Sequence, residues 1–306
     1  MQRRDFLKWQ LAGIGMLGVN ASMLTLAGKA LADTCPDVAV VKGAPGAAAR
    51  AAVNMLGGMS RFVKPGQKVV IKPNMSFAQG PETATNTHPE VVREVLVMCK
   101  EAGAARVRVL DHVLQDPELS MTRSGIRDIC DGVEPGVCRY LTNVSFYQDA
   151  ELAEGREMRT NAFMCDALDA DVIIAVPVAK SHGSAGVSLA IKGQMGLIYD
   201  RRIMHSRYDL NTSIVDLATR VKPGLAIIDA TRVLTTNGPG GPGKVIQPGE
   251  VIASADPVAA DATAVSSYEW YGRKMQPRQV GHIRLAHERG LGNMNIEALT
   301  VRRIVL

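Results

Sequence analysis

Residues 68–74 read Lys-Val-Val-Ile-Lys-Pro-Asn, residues 89–103 read Pro-Glu-Val-Val-Arg-Glu-Val-Leu-Val-Met-Cys-Lys-Glu-Ala-Gly, and residues 106–110 read Arg-Val-Arg-Val-Leu. The first and last are short, β-branched apolar runs. The middle one places Val91, Val92, Val95, Leu96 and Cys99 at one-face helical spacing and stops at Gly103, a helix C-cap residue. Strand, helix and strand in that order predict a βαβ unit, whose two strands run parallel because the helix carries the chain back across the sheet. Working outward, similar runs recur at Val172–Val176, Leu225–Ile228 and Val251–Ala253, and Asn211–Arg220 carries Ile214, Leu217 and Ala218 on one helical face. The alternation predicts an α/β fold with a mostly parallel central sheet flanked by helices.

Ahead of this pattern, residues 2–8 (Gln-Arg-Arg-Asp-Phe-Leu-Lys) are followed by a Gly- and Ala-diluted apolar stretch, Leu11–Leu26, that closes at Ala30-Leu31-Ala32. These are the n-region, h-region and A-x-A site of a signal peptide, and Arg3-Arg4 resembles the twin-arginine (Tat) motif. The expectation is a signal over residues 1–32, passage through the twin-arginine machinery, and one α/β domain over 33–306 in the periplasm. Asn20, Ser22 and Thr25 keep the run short of the roughly 20 apolar residues a bilayer span needs, so no stable membrane span is expected after cleavage. Removing the segment takes four basic and one acidic side chain from 35 and 30, and the formal charge falls from +5 to +2. Without a basic, aromatic-interleaved stretch, nucleic acid is not an expected partner.

The chain has 306 residues, 46% of them hydrophobic and 21% charged, a globular composition. The five cysteines include no C-x-x-C pair, so the chain encodes no iron–sulfur cluster motif. In an oxidising compartment Cys130 and Cys138 could close a small loop, while Cys99 and Cys165 read as core thiols.

In a parallel sheet, functional groups gather beyond the carboxyl ends of the strands. Here the exits carry Lys72-Pro73-Asn74, Asp111-His112, Lys180-Ser181-His182, Asp229 and Asp256-Pro257. Asp256 before Pro257 is also a helix start. The blocks at 69–74, 87–93, 171–182, 189–196, 227–230 and 255–261, in that order, resemble the domain-of-unknown-function 362 family over nearly the whole mature chain. The resemblance implies an α/β domain and, in some members, an added ferredoxin-like module that has no counterpart here. It implies no assigned reaction. The family commonly has Lys-Asn before its Gly, whereas this chain has Lys192-Gly193-Gln194.

Lys72, Lys180 and Lys192 follow separate apolar runs; if they converge, a small anionic ligand is the natural counter-charge and Asn74 could orient it. His182 and His205 are the acid/base candidates, with Lys180 beside His182 on one strand face. Histidines from separate loops with carboxylates would suit a divalent transition metal, for which His88, Asp111 and Asp229 are the candidate ligands, although no H-x-x-x-H spacing occurs. There is no G-x-S-x-G elbow, and the glycine- and proline-rich run 238–243 lacks the P-loop's Lys-Ser/Thr and reads as a lid. Two readings follow: an exported enzyme acting on a small anion, with or without a metal, or a non-catalytic module that binds a metal, an anion or a redox partner.

Overall fold

Alternate residues of the sheet strands enter opposite core layers, which is what a strand buried on both faces requires. Val69, Ile71, Val107, Val109, Ile174, Val176, Leu225 and Ile227 belong to one layer, and Val70, Leu110, Ile173, Ala175, Ala226 and Ile228 to the other. The computed structural model describes residues 35–306, and the segment read as an export signal lies outside the described residues.

The eleven strands of the main sheet are β1 (Val38–Lys42), β2 (Lys68–Pro73), β3 (Arg106–Asp111), β4 (Cys138–Tyr140), β5 (Val172–Val176), β6 (Val178–His182), β7 (Gly186–Ser188), β8 (Leu225–Leu234), β9 (Val245–Ile246), β10 (Glu250–Ser254) and β11 (Val301–Val305). The spatial order is β11-β1-β10-β8-β5-β2-β3-β4, with β6 and β9 paired to β8 and β7 to β6. From β8 to β4 every neighbour along this path is parallel, as are β1 and β11; β10 runs against both its neighbours. Among the predicted runs, 251–253 is therefore the exception in a mostly parallel sheet, in which the short β7 and β9 also pair antiparallel.

Helices α1 (Pro45–Met55) and α2 (Pro89–Glu101) cover one face, and α3 (Leu210–Arg220), α4 (Pro257–Ser267) and α5 (Gly281–Glu288) the other. The predicted apolar face of α2 is buried throughout, so β2–α2–β3 is the expected βαβ unit. Asp256 accepts from the Val258 and Ala259 amides at 2.8 and 3.1 Å, with Pro257 at the first helical position, and so starts α4. Among the described residues no helix is long and apolar enough to cross a membrane.

The cysteines correct one expectation, that Cys165 is a core thiol. Cys130 and Cys138 are separate buried thiols, and burial pushes the Cys130 thiol up to about 12. Cys99 is a core thiol as expected, but Cys165 is exposed, because it opens the short helix Cys165–Leu168 on the sheet's amino-terminal side of β5.

Candidate functional site

The exits of β2 and β3, strand β6 and two short helical turns close around a cavity of about 220 Å³. Lys72, Asn74, Asp111, Lys180, His182, Lys192 and His205 all line it. These side chains come from sequence positions 133 residues apart at the extremes, and a small hydrogen-bond chain fixes their frame. The Asn74 amide N–H donates to Thr87 Oγ1 (2.9 Å), which donates to the Val176 carbonyl (2.7 Å), while Asn74 Oδ1 accepts from the Val178 amide (3.0 Å). The end of β2 is thereby tied to the β5–β6 junction at Pro177.

Lys72 Nζ lies 3.0 Å from Asp111 Oδ1, each side chain 1% exposed, and the other carboxylate oxygen accepts from the Met75 amide (3.1 Å) and Ser76 hydroxyl (2.7 Å). Among the described residues Asp111 is the one carboxylate lining the cavity. Lys180 donates to the Thr85 carbonyl and sits 4.7 Å from the centroid of the Phe77 ring, a cation–π contact. Lys192 projects from the turn Ala190–Gly193, whose first amides, of Ala190 and Ile191, donate to the buried Asp261 carboxylate at 2.7 and 3.0 Å. Burial pushes the Asp261 carboxyl up to about 7.

The cluster holds more positive charge than its single carboxylate balances, and the titration behaviour follows. Burial is the first cause in each case: it lowers Lys72, takes Lys180 well below its ordinary value and brings Lys192 down to about 7, with neighbouring cations adding to the last two. Burial and Lys192 bring His182 down to about 2, so its ring is neutral at physiological pH. Its Nδ1 accepts from the Ala185 amide at 3.2 Å, which assigns the proton to Nε2. His205 stacks on it at the rim, with centroids 5.7 Å apart and planes at 19°.

The metal trio is not assembled. Asp229 accepts from the His88 amide (2.8 Å), Thr231 (3.0 Å from the amide, 2.6 Å from the hydroxyl) and Arg232 (2.6 Å), while His88 Nδ1 caps α2 by accepting from the Glu90 amide. Asp111 is engaged separately in the cavity, and among the described residues no group of three or more His, Cys, Asp or Glu is placed to hold a metal ion. The strand-exit rule led to the sheet edge where the cavity lies but could not separate a helix cap from a ligand.

Some lining groups were not singled out from the sequence. Arg201 is partly buried at the cavity and donates to the His112 carbonyl. The loop read as a lid forms one wall of the cavity: Pro239 lines it, the Gly238 amide donates to Ser181 Oγ (2.9 Å), and Gln79 donates to the Gly240 carbonyl (2.8 Å). Gly196 is needed by close approach, since a Cβ there would lie 2.1 Å from Asp111 Oδ1 and 2.4 Å from Lys72 Cε. Gly196→Ala is expected to push the ion pair apart and cost about 1–3 kcal/mol, as overpacking does. A urea midpoint equal to that of the parent protein would contradict this.

The family described as "Domain of unknown function (DUF362)" matches residues 69–266. A thylakoid-associated protein from Synechocystis sp. is 28% identical over 229 residues, covering 70% of this chain and 67% of that protein. Among solved structures, the lactate racemase apoprotein from Thermoanaerobacterium thermosaccharolyticum superposes with a TM-score of 0.48 at 15% identity over 76% of this chain. A Thermotoga maritima protein gives 0.40 at 12% identity over 73%. The chain spans 58% and 59% of those two structures' lengths.

Proposed function

The chain belongs to the DUF362 family, and from that premise we propose that it is an exported, periplasmic enzyme acting on a small anionic substrate through its Lys/His/Asp cavity. One observation carries the reading: Lys72, Lys180 and Lys192 are at most 8% exposed, Arg201 stands beside them, and one carboxylate offsets the four. Buried charge without a counter-charge is costly, so a bound anion supplies what the protein leaves out. In this reading Lys72, Lys180 and Arg201 hold the anion, Asn74 frames it, and His182, neutral with His205 at its face, moves protons at Nε2.

Calorimetric titration with sulfate tests the binding half. Lys180→Met keeps most of the side-chain volume and removes the charge. It is expected to weaken binding by about ten- to a hundredfold, the scale of a hydrogen bond to a charged group, with an unchanged circular dichroism spectrum. Equal affinity in the variant would overturn the reading. His182→Ala then separates roles, since turnover lost with binding kept marks proton transfer. A metal assisting at this cavity is tested by elemental analysis of the purified, exported protein.

The export half rests on Arg3-Arg4 and Ala30-Leu31-Ala32. Changing both arginines to lysine should leave the precursor in the cytoplasm, and a mature amino terminus near Asp33 in the periplasmic fraction is the expected product. Unimpaired export of the double-lysine form would refute the twin-arginine route.

A further inference from the structure

Among the cavity's ammonium groups Lys192 stands apart. Lys72 has Asp111 and the Pro73 carbonyl, and Lys180 has the Thr85 carbonyl and the Phe77 ring. The Lys192 amine, on a residue 8% exposed, has neither a hydrogen bond nor an ion pair among the described residues. No described residue is placed to stabilise its protonated form. The groups that face it are cationic or neutral: Lys72, Lys180 and Arg201, with His182, His205 and the fully buried His282. Its backbone is nevertheless held, because Asp261 pins the turn that carries it.

A buried amine that lacks an acceptor and lies among cations is the arrangement that frees a lysine lone pair for attack on a carbonyl. We propose that Lys192 is a nucleophile that condenses with the ketone of a small 2-oxo acid, whose carboxylate lies against Lys72, Lys180 and Arg201. This rests on the anion-site reading above and names its substrate class. The requirement for both functions on one small molecule comes from the cavity: cations on the wall ask for a carboxylate, and an unpartnered amine asks for an electrophile. A cavity of about 220 Å³ admits a molecule of this size.

The step balances without an oxidant or reductant. The amine lone pair attacks the carbonyl carbon, an N–C bond forms, and the carbonyl π electrons go to oxygen. Neutral His182 relays the proton from nitrogen to that oxygen. Loss of the hydroxyl with a second proton from nitrogen releases one water and leaves the imine. An amine brought down to about 7 is substantially unprotonated near neutrality, whereas an exposed lysine is not.

The test is borohydride trapping with pyruvate on the folded, exported protein, read by peptide mapping. The expected result is a secondary amine at Lys192 carrying pyruvic acid less one oxygen, with labelling half-maximal near pH 7 and suppressed by excess sulfate. Lys192→Arg should lose that adduct while still binding sulfate. If this variant fails to fold, the site mapped on the native protein decides alone. Label confined to exposed lysines such as Lys42, Lys64 and Lys222, in protein that binds sulfate, overturns the imine and leaves the anion site standing. Protein that neither binds sulfate nor labels at Lys192 overturns both readings.

Discussion

Asp111→Ala is expected to lower the unfolding free energy by about 3–5 kcal/mol, the cost of removing one partner from a buried ion pair. The magnitude follows from position. Asp111 and Lys72 are 3.0 Å apart and each 1% exposed, so the orphaned ammonium cannot turn to water. The same change strips the Met75 amide and Ser76 hydroxyl of an acceptor, and removes the group that favours the charged forms of Lys180 and Arg201. The exposed pair Lys68–Asp169 provides a control. Its partners are 45% and 50% exposed, and Asp169→Ala should cost no more than about 1 kcal/mol. Urea denaturation of both variants checks the contrast. Sulfate at about a hundredfold above its dissociation constant should restore about 2.7 kcal/mol to any variant that still binds it. A loss in Asp111→Ala no greater than in Asp169→Ala would show that the cavity does not hold its lysines as charged groups.

The second large effect is on ligand affinity with pH. Sulfate keeps its charge across the neutral and alkaline range, so any change reports the protein. Lys192 sits at about 7 in the ligand-free cavity, and an anion favours its protonated form, so binding above pH 7 must take up a proton. Affinity is therefore expected to fall about tenfold for each pH unit above 7, by proton linkage. The sign for stability is opposite. A lysine whose folded value lies below its unfolded value of 10.5 binds fewer protons when folded, so the Lys192 contribution to ligand-free stability rises between pH 7 and 10.5. Asp261, raised to about 7, acts the other way, since its folded form retains a proton that the unfolded form has lost; that loss of stability is complete once pH passes 7. The buried Cys99 and Cys130 thiols, raised from 9.0 to about 12, lower stability once pH passes 9, so the interval from about 8 to 9 isolates the lysine term. A sulfate affinity flat across that interval would remove Lys192 from the anion's environment.

The core pattern was legible because burial on both sheet faces leaves continuous β-branched runs, and α2 announced itself by spacing and by Gly103. Strand direction was less so. The reversal of β10 lay in what was missing: no helical pattern separates Leu234 from Glu250, and a connection without a helix returns antiparallel. At the site, strand-end position sufficed for Lys72, Asp111, Lys180 and His182, because the sheet itself delivers them. It misled for Asp229, which lies within the long strand β8 and serves backbone amides and Arg232. Arg201 and Gly196 owe their importance to distances across the fold, which no local spacing encodes.

The pairing of β1 with β11 has a kinetic side. The Asp37 carboxylate accepts from the Thr300 amide, 263 residues along the chain, and Val38–Lys42 lies in parallel register with Val301–Val305. By contrast, β2–α2–β3 closes over a few dozen residues. Contacts between distant segments are the slow ones, because the intervening chain must be ordered first. On the ribosome the half of the sheet that carries Lys72 and Asp111 can assemble while β1 still waits for the strand beside it. Completion of that edge thus acts as a late checkpoint, passed only after residue 305 has emerged. A protein exported folded would be held to that order of events.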